Sequence, residues 1–330
     1  MLKTLIKLGV GFDCASLNEI KTMLELGVCP NNIIFANPCK QADYIKYANE
    51  NGVDMMTFDN EEELIKIKNI HPTSKLVMRI HVDDSHSVCQ FGVKFGVRGN
   101  TRQLFESAKK LNLEIIGISF HVGSGCGNAN AYYDAIKRAK EVFDEGISIG
   151  FNMTLLDIGG GFPGFSGNGI EFEQIAKVIN YSIDKFFPDD NVRIIAEPGR
   201  FFAASAFTIA TAVTSRRIIE DGETKGFMYY VNDGVYGSFN CMFYDHAVLP
   251  PLRYIKKDEK GMSTFTNPIE LEKVQYISSI WGPTCDSLDC LTKSLSMPEL
   301  NIGDWIVYRN MGAYTLAAAS RFNGIEKAKV

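Results

Sequence analysis

The sequence predicts an α/β fold: a (β/α)8 TIM-type barrel lacking its first strand over residues 1–203, then a C-terminal, mainly antiparallel β domain over 204–330. Three observations carry this prediction. Short apolar runs alternate with amphipathic stretches of helical period through the first two thirds of the chain. Asp13, Arg79, His121, Asp157 and Glu197 fall at or just past the ends of those runs, which decides for a barrel over a doubly wound sheet. From about Ala204 the helical period fades, and runs rich in Tyr, Phe, Val and Ser/Thr take over.

In chain order, strands are expected at residues 10–14 (VGFDC), 33–36 (IIFA), 55–58 (MMTF), 76–82 (LVMRIHV), 115–121 (IIGISFH), 155–158 (LLDI) and 193–197 (RIIAE). Between them lie the helical patterns SLNEIKTMLELG, DYIKYANENG, NEEELIKIKNI, TRQLFESAKKLN, ANAYYDAIKRAKEVFDEG and EFEQIAKVINYSIDKFF. Most open on Ser, Asn or Thr and two close on Gly, as helix caps require. Seven strands are one short of a closed barrel, and residues 2–8 read as the tail of a helix, so the missing strand is expected before residue 1. In the second domain, strands are expected at 207–213, 226–231, 275–280 and 304–308, with polar surface loops at 220–225 and 256–262.

Composition narrows the function. The 330 residues are 45% hydrophobic and 22% charged, an ordinary globular balance. A net charge of −5 and no long basic stretch argue against nucleic acid as a partner. The longest weakly polar run, residues 201–214, is too short and too rich in Ser/Thr to span a bilayer. The start has no signal-peptide pattern, and eight scattered cysteines form no CxxC pair or zinc spacing, so free thiols in the cytoplasm and no metal are expected.

Several motifs carry chemistry. DIGGGFPG follows a strand, and Gly159, Gly160 and Gly161 expose backbone N–H groups that suit a phosphate; the plainer reading is a flexible turn. EPGR places Glu197 where it can bond a protonated ring nitrogen, with Gly199 and Arg200 completing a phosphate cradle; alone, it reads as a Glu–Arg ion pair. HVGSGC offers His121 to stack on a planar ring and Ser124 to donate to phosphate, although a lone strand-end His is usually a satisfied polar residue. WGPTCDSLD sets Cys285 beside Asp286, whose charge favours a protonated, proton-donating thiol over a thiolate; the alternative is a structural cysteine. Asp245 of YDH and Asp286 suit a distal ammonium, and the Tyr314 hydroxyl of MGAYT suits a phosphate.

Taken in order, GFDCAS, ANPCKQ, MMTFD, FHVGSGC, LLDIGGGFPG, RIIAEPGR, MYYVNDGVYGSFNC, YDHA, SSIWGPTCD, GDW, NMGAYT and FNG resemble the eukaryotic ornithine decarboxylases, of the alanine-racemase-like (fold type III) pyridoxal-phosphate enzymes. The resemblance implies pyridoxal phosphate in the barrel mouth, its phosphate held by Gly159, Gly160, Gly161, Gly199, Arg200, Ser124 and Tyr314. It implies Glu197 at the pyridine nitrogen, His121 on the ring, and Asp13 and Arg79 lining the mouth. It further implies Asp245 and Asp286 on the side-chain ammonium of ornithine, Cys285 as proton donor on the way to putrescine, and a cytoplasmic homodimer serving polyamine biosynthesis. The family's Schiff-base lysine, in a strand upstream of GFDCAS, finds no counterpart in Lys3 or Lys7, and the chain ends soon after FNG. Truncation at both ends is therefore expected, and with it an inactive chain or a non-catalytic decoy for antizyme, the family's regulatory partner. Residues 37–68 resemble the antizyme-binding element, with Lys40, Lys46, Lys66 and Lys68 expected on its surface; the plainer reading is two ordinary barrel helices.

Overall fold

Period-two burial in the apolar runs builds a seven-stranded parallel sheet in the computed structural model, which describes residues 1–167, 169–222, 224–257, 263–266 and 274–330. The chain divides into two compact units, Met1–Gly199 and Arg200–Val330.

In the first unit, α1 (Leu2–Lys7) leads into β1 (Phe12–Cys14), α2 (Leu17–Glu25), β2 (Ile33–Phe35), α3 (Ala42–Glu50), β3 (Met55–Phe58), α4 (Glu61–Ile70) and β4 (Lys75–Arg79). Then come β5 (Ser87–Cys89), α5 (Thr101–Lys110), β6 (Glu114–Ser119), β7 (Ser124–Cys126), α6 (Asn130–Ile149), β8 (Leu155–Asp157), α7 (Phe172–Phe186) and β9 (Arg193–Ile195). The sheet order is β1-β2-β3-β4-β6-β8-β9, while β5 and β7 form a separate antiparallel pair. Each strand turns one set of residues to the helices and the other to the inside of the curl. Ile33, Phe35, Met56, Phe58, Leu76, Met78, Ile118 and Leu156 join the helix-packed core, whereas Ile34, Val77 and Leu155 form a second, inner cluster. Met55, Ile116 and Ile195 on that inner face are only partly buried. Among the described residues, β1 and β9 each pair with a single neighbour, so the curl is an incomplete barrel.

Caps fix the helix starts. Ser16 accepts a hydrogen bond from Glu19 N–H and Asn60 one from Glu63 N–H, each satisfying an orphan donor of the first turn. Five of the seven expected strands end one to three residues earlier than the apolar runs suggest, while β1 and β3 end as expected. Ile80 and Val82 are buried, but beyond Arg79 the chain keeps only a bridge from Ile80 to Val97.

The second unit holds a seven-stranded sheet of order β13-β12-β16-β10-β11-β14-β15. Its members are β10 (Ile209–Asp221), β11 (Thr224–Val231), β12 (Arg253–Lys257), β13 (Ser263–Thr266), β14 (Tyr276–Trp281), β15 (Cys290–Met297) and β16 (Trp305–Tyr308). All pairings are antiparallel except β11–β14, which is parallel. Sequence reasoning misses β12, β13 and β15. Arg253–Lys257 and Cys290–Met297 carry Lys and Ser that mask strand character. The loop expected at 256–262 instead begins inside β12, and residues 258–262 lie outside the described residues.

Lys40 is a correction. It is 3% exposed, not on the surface, and its ammonium lies 2.9 Å from Glu63 Oε1 while donating to the carbonyl oxygen of Asn37. Burial pulls its pKa down, opposed by the Glu63 carboxylate. Lys66 bridges the same Glu63 from outside, at 2.5 Å. Removing Glu63 strands a buried charge, which costs about 3–5 kcal/mol. Glu63→Ala should therefore lower urea stability by about that amount. Lys40→Met with Glu63→Leu should recover most of it, and recovery in the double variant is the measurement that separates ion pairing from packing.

Candidate active site

The carboxyl ends of the sheet gather the polar residues of the first unit. Asp157 closes β8 and is fully buried, and its Oδ1 accepts the Gly159 N–H at 2.9 Å. Gly159 O in turn accepts the Glu197 N–H at 2.7 Å, so one turn sets both acids. Each carboxyl acts on the other's ionisation, and Asp157 Oδ2 is buried without a hydrogen-bond donor. Burial pushes the Asp157 carboxyl up to about 6. Its enclosure, then the Asp157 charge, raises Glu197 well above the usual carboxylate range. Arg79 acts in the opposite direction on both, and Asp13 adds a further carboxyl beside them.

The three glycines are packed, not loose. Gly159 and Gly161 hold φ of +62° and +103°, which side chains rarely adopt. A Cβ on Gly160 would stand 2.8 Å from both Glu197 O and His121 Nε2. His121 Nδ1 accepts the Gly123 N–H at 2.9 Å, which leaves Nε2 as the protonated nitrogen of the neutral ring. Burial, helped by Arg79, pulls the imidazole down to about 3, so the ring is uncharged at neutral pH. Phe91 meets it edge-on at 4.9 Å. Ser124 is buried in β7, and Gly199 has open space where a Cβ would be.

In the second unit, Arg200 grips Asp245 through two hydrogen bonds of 2.6 Å, with the guanidinium 4.8 Å from the Tyr314 ring centroid. Sequence reasoning assigns these two charges to different ligand groups; the structure pairs them. Tyr314 adopts φ +55°, a rare setting for a ring-bearing residue. Asp286 accepts the Leu288 N–H and the Tyr236 hydroxyl, and these bonds, the first above all, hold its carboxyl below the usual range. Tyr236 stacks on Phe322 at 4.4 Å. Cys285 is exposed, with Sγ 3.6 Å from Asn323 Oδ1. Asp289, 1% exposed, accepts Val235 N–H, Thr284 N–H and the Thr284 hydroxyl at 2.7–2.9 Å, tying the Cys285 loop to the loop of Tyr236.

Three residues escape sequence reasoning as functional. Asp157 was singled out only for its place at a strand end, and Tyr236 and Asp289 stand inside quoted motifs whose other residues drew the assignment. Among the described residues, no cluster suits a metal ion and no helix is long and apolar enough to cross a membrane. A cavity of about 420 Å³, lined by Asp54, Lys75, Glu114 and Arg193 among others, lies at the amino ends of the strands, opposite this chemistry.

A strand-end acid pair that can face a ring nitrogen, a neutral imidazole and a glycine turn with no room for side chains define a site for a planar, anionic cofactor. Residues 1–204 match the family described as pyridoxal-dependent decarboxylase, pyridoxal binding domain. The chain belongs to that family of carboxy-lyases, and pyridoxal phosphate is its cofactor. It is 50% identical to ornithine decarboxylase of Rattus norvegicus over 344 aligned residues, covering 100% of this chain and 72% of that protein. It is 49% identical to antizyme inhibitor 2 of Xenopus laevis, covering 100% and 72%. The crystal structure of the Paramecium bursaria Chlorella virus arginine decarboxylase superposes with a TM-score of 0.89 at 41% identity, covering 99% of this chain and 84% of that one.

The glycine turn yields a prediction. Gly160→Ala forces His121 or Glu197 aside, so pyridoxal phosphate affinity should fall about tenfold or more, equivalent to roughly 1.4 kcal/mol. Absorbance titration checks the affinity, and an unchanged far-ultraviolet circular dichroism spectrum checks the fold.

Proposed function

We propose that this chain decarboxylates L-ornithine to putrescine, a step of polyamine biosynthesis, in the cytoplasm and as a homodimer. The observation that carries this reading is the Asp157–Glu197 acid pair beside a neutral His121, on a chain that also carries Asp245, Cys285 and Asp286.

Pyridoxal phosphate, when bound, supplies an electron sink for the bond that loses carbon dioxide. The chain's own groups do the rest. Glu197 holds the ring nitrogen, and Asp13 and Arg79 line the mouth around it. His121 would lie against the ring and, being neutral, would add no charge to it. Ser124, Gly159, Gly160, Gly161 and Gly199 hold the phosphate together with Arg200 and Tyr314. Arg200 and Asp245, an ion pair in this structure, would hold the phosphate and the substrate's distal ammonium respectively. Asp286, oriented by Tyr236, takes the same ammonium, and Cys285 returns a proton to Cα in the partner's site.

A second reading is favoured by a specific observation. Among the described residues, no strand of the parallel sheet ends on a lysine, where the resemblance expects a tether for the cofactor, and Lys40, in the loop after β2, is held by Glu63. Capture of antizyme through the surface of residues 37–68 is then the alternative role. Relatives of equal similarity include both kinds of protein.

Carbon dioxide release in the presence of pyridoxal phosphate tests this. L-ornithine should outpace L-arginine and L-lysine. Cys285→Ala and Asp286→Ala should each lower kcat/KM by about 10²-fold, roughly 2.7 kcal/mol. No release from any of the three, together with antizyme retained in a pull-down, selects the second reading.

A further inference from the structure

We propose that Asp157 is a positioning residue of the cofactor site: it keeps a proton and donates it as a hydrogen bond to Glu197, so that Glu197 alone is the anion offered to the cofactor's ring nitrogen. The inference deepens the cofactor reading above and rests on it.

The argument begins with an unsatisfied atom. Asp157 is 0% exposed, and although Oδ1 accepts the Gly159 N–H, Oδ2 is buried and meets no N–H or hydroxyl donor. The neighbouring carboxyl is that of Glu197, brought to Asp157 by the Gly159 turn that bonds both residues. Two ionised carboxylates are both acceptors and cannot bond, and enclosed together they repel, so one of them carries a proton. The backbone leaves the pair little freedom. Asp157 is in parallel register with Ile195, two residues before Glu197, and the Glu197 N–H is fixed on Gly159 O.

Which acid keeps the proton depends on the charges around the pair. Arg79 of β4 favours ionisation of both, and Asp13 of β1 opposes it. Glu19 of α2 acts on Asp13, and His121 after β6 is neutral. The Gly159 N–H favours ionised Asp157, and the Asp157 charge raises Glu197, so in the cofactor-free chain the proton rests on Glu197. A cationic ring nitrogen at Glu197 reverses this order, because it favours the ionised form of its direct neighbour. The shared proton then resides on Asp157 Oδ2. It has only moved between two carboxyls, so no other reactant is needed. Asp157 in this state is a neutral donor on one side and an acceptor from Gly159 on the other.

Asparagine is the isostere of that state. In Asp157→Asn, Oδ1 still accepts from Gly159, and Nδ2 donates to Glu197 without a proton to lose. Pyridoxal phosphate titrated into the full chain at about pH 7 should bind Asp157→Asn within about threefold of wild type, and Asp157→Ala at least about tenfold more weakly. An Asn variant as weak as the Ala variant would show that charge, not the donated hydrogen, is needed, and would overturn the proposal. The cofactor-free chain gives a pH readout. Both acids are raised in the fold, so the unfolded chain loses their protons first as pH rises. Wild-type melting temperature should fall from about pH 4 upward through about pH 6, and Asp157→Asn should lack the share of that fall due to Asp157, with only Glu197's remaining. Equal slopes count against the proposal. Should the variants not fold, difference infrared spectra of wild type loaded with pyridoxal phosphate should contain the C=O stretch of a protonated carboxyl, and its absence overturns the proposal. Failure of wild type to bind pyridoxal phosphate at all would remove the cofactor reading, and this inference with it.

Discussion

The pairing of two acids, Asp157 and Glu197, on one glycine turn at the end of the parallel sheet is the constraint on which the site depends. Asp157 cannot be solvated and cannot be satisfied by the backbone alone, since Gly159 serves only one of its oxygens. A buried acceptor without a donor is costly. The fold meets that cost with a second acid and a proton, not with a base. Arg79 is near enough to pull on both acids, yet Asp157 still stands above its ordinary value because desolvation outweighs the guanidinium. The pair is therefore ready to stabilise a cation presented at the sheet's mouth.

Geometry around the pair follows from the same turn. Glu197 is fixed by Gly159 O, Gly159 N–H is spent on Asp157, and Gly160 lies against His121. The glycine run is thus a spacer between strand, acid and imidazole as well as a candidate phosphate cradle. A flexible turn would not satisfy these contacts. The alternative of a bland loop, open on sequence grounds, loses to the positive φ at Gly159 and Gly161 and to the absence of room for any Cβ.

Much of the first unit was legible because parallel strands buried on both faces read as apolar runs, and Ser16 and Asn60 announce their helices locally. What escaped was set by distant partners. Lys40 looks like any surface lysine until Glu63, 23 residues on, is seen beside it. Asp157 drew no separate role because glycines dominate its motif, and nothing local shows that Oδ2 lacks a donor. In the second unit, β12 and β15 have polar positions that face out of the sheet, so composition hides them while pairing with β16 and β14 creates them.

The second unit solves a different problem: holding Cys285 and Asp286 in a segment punctuated by Gly282 and Pro283. The ladder ends at Trp281 and resumes at Cys290, so the eight residues between must find order elsewhere. Asp289 supplies it by taking two backbone N–H groups and a hydroxyl from two loops at once, and Gly234 and Gly282 leave space for its carboxylate. Tyr236, from the loop braced by Asp289, then reaches back to Asp286. Such a cage is short of chain entropy to lose on binding, which favours a preorganised site over one assembled around its ligand. It also explains why Cys285 can stay exposed: its position is set by neighbours on either side, Thr284 and Asp286, and not by burial of the thiol itself.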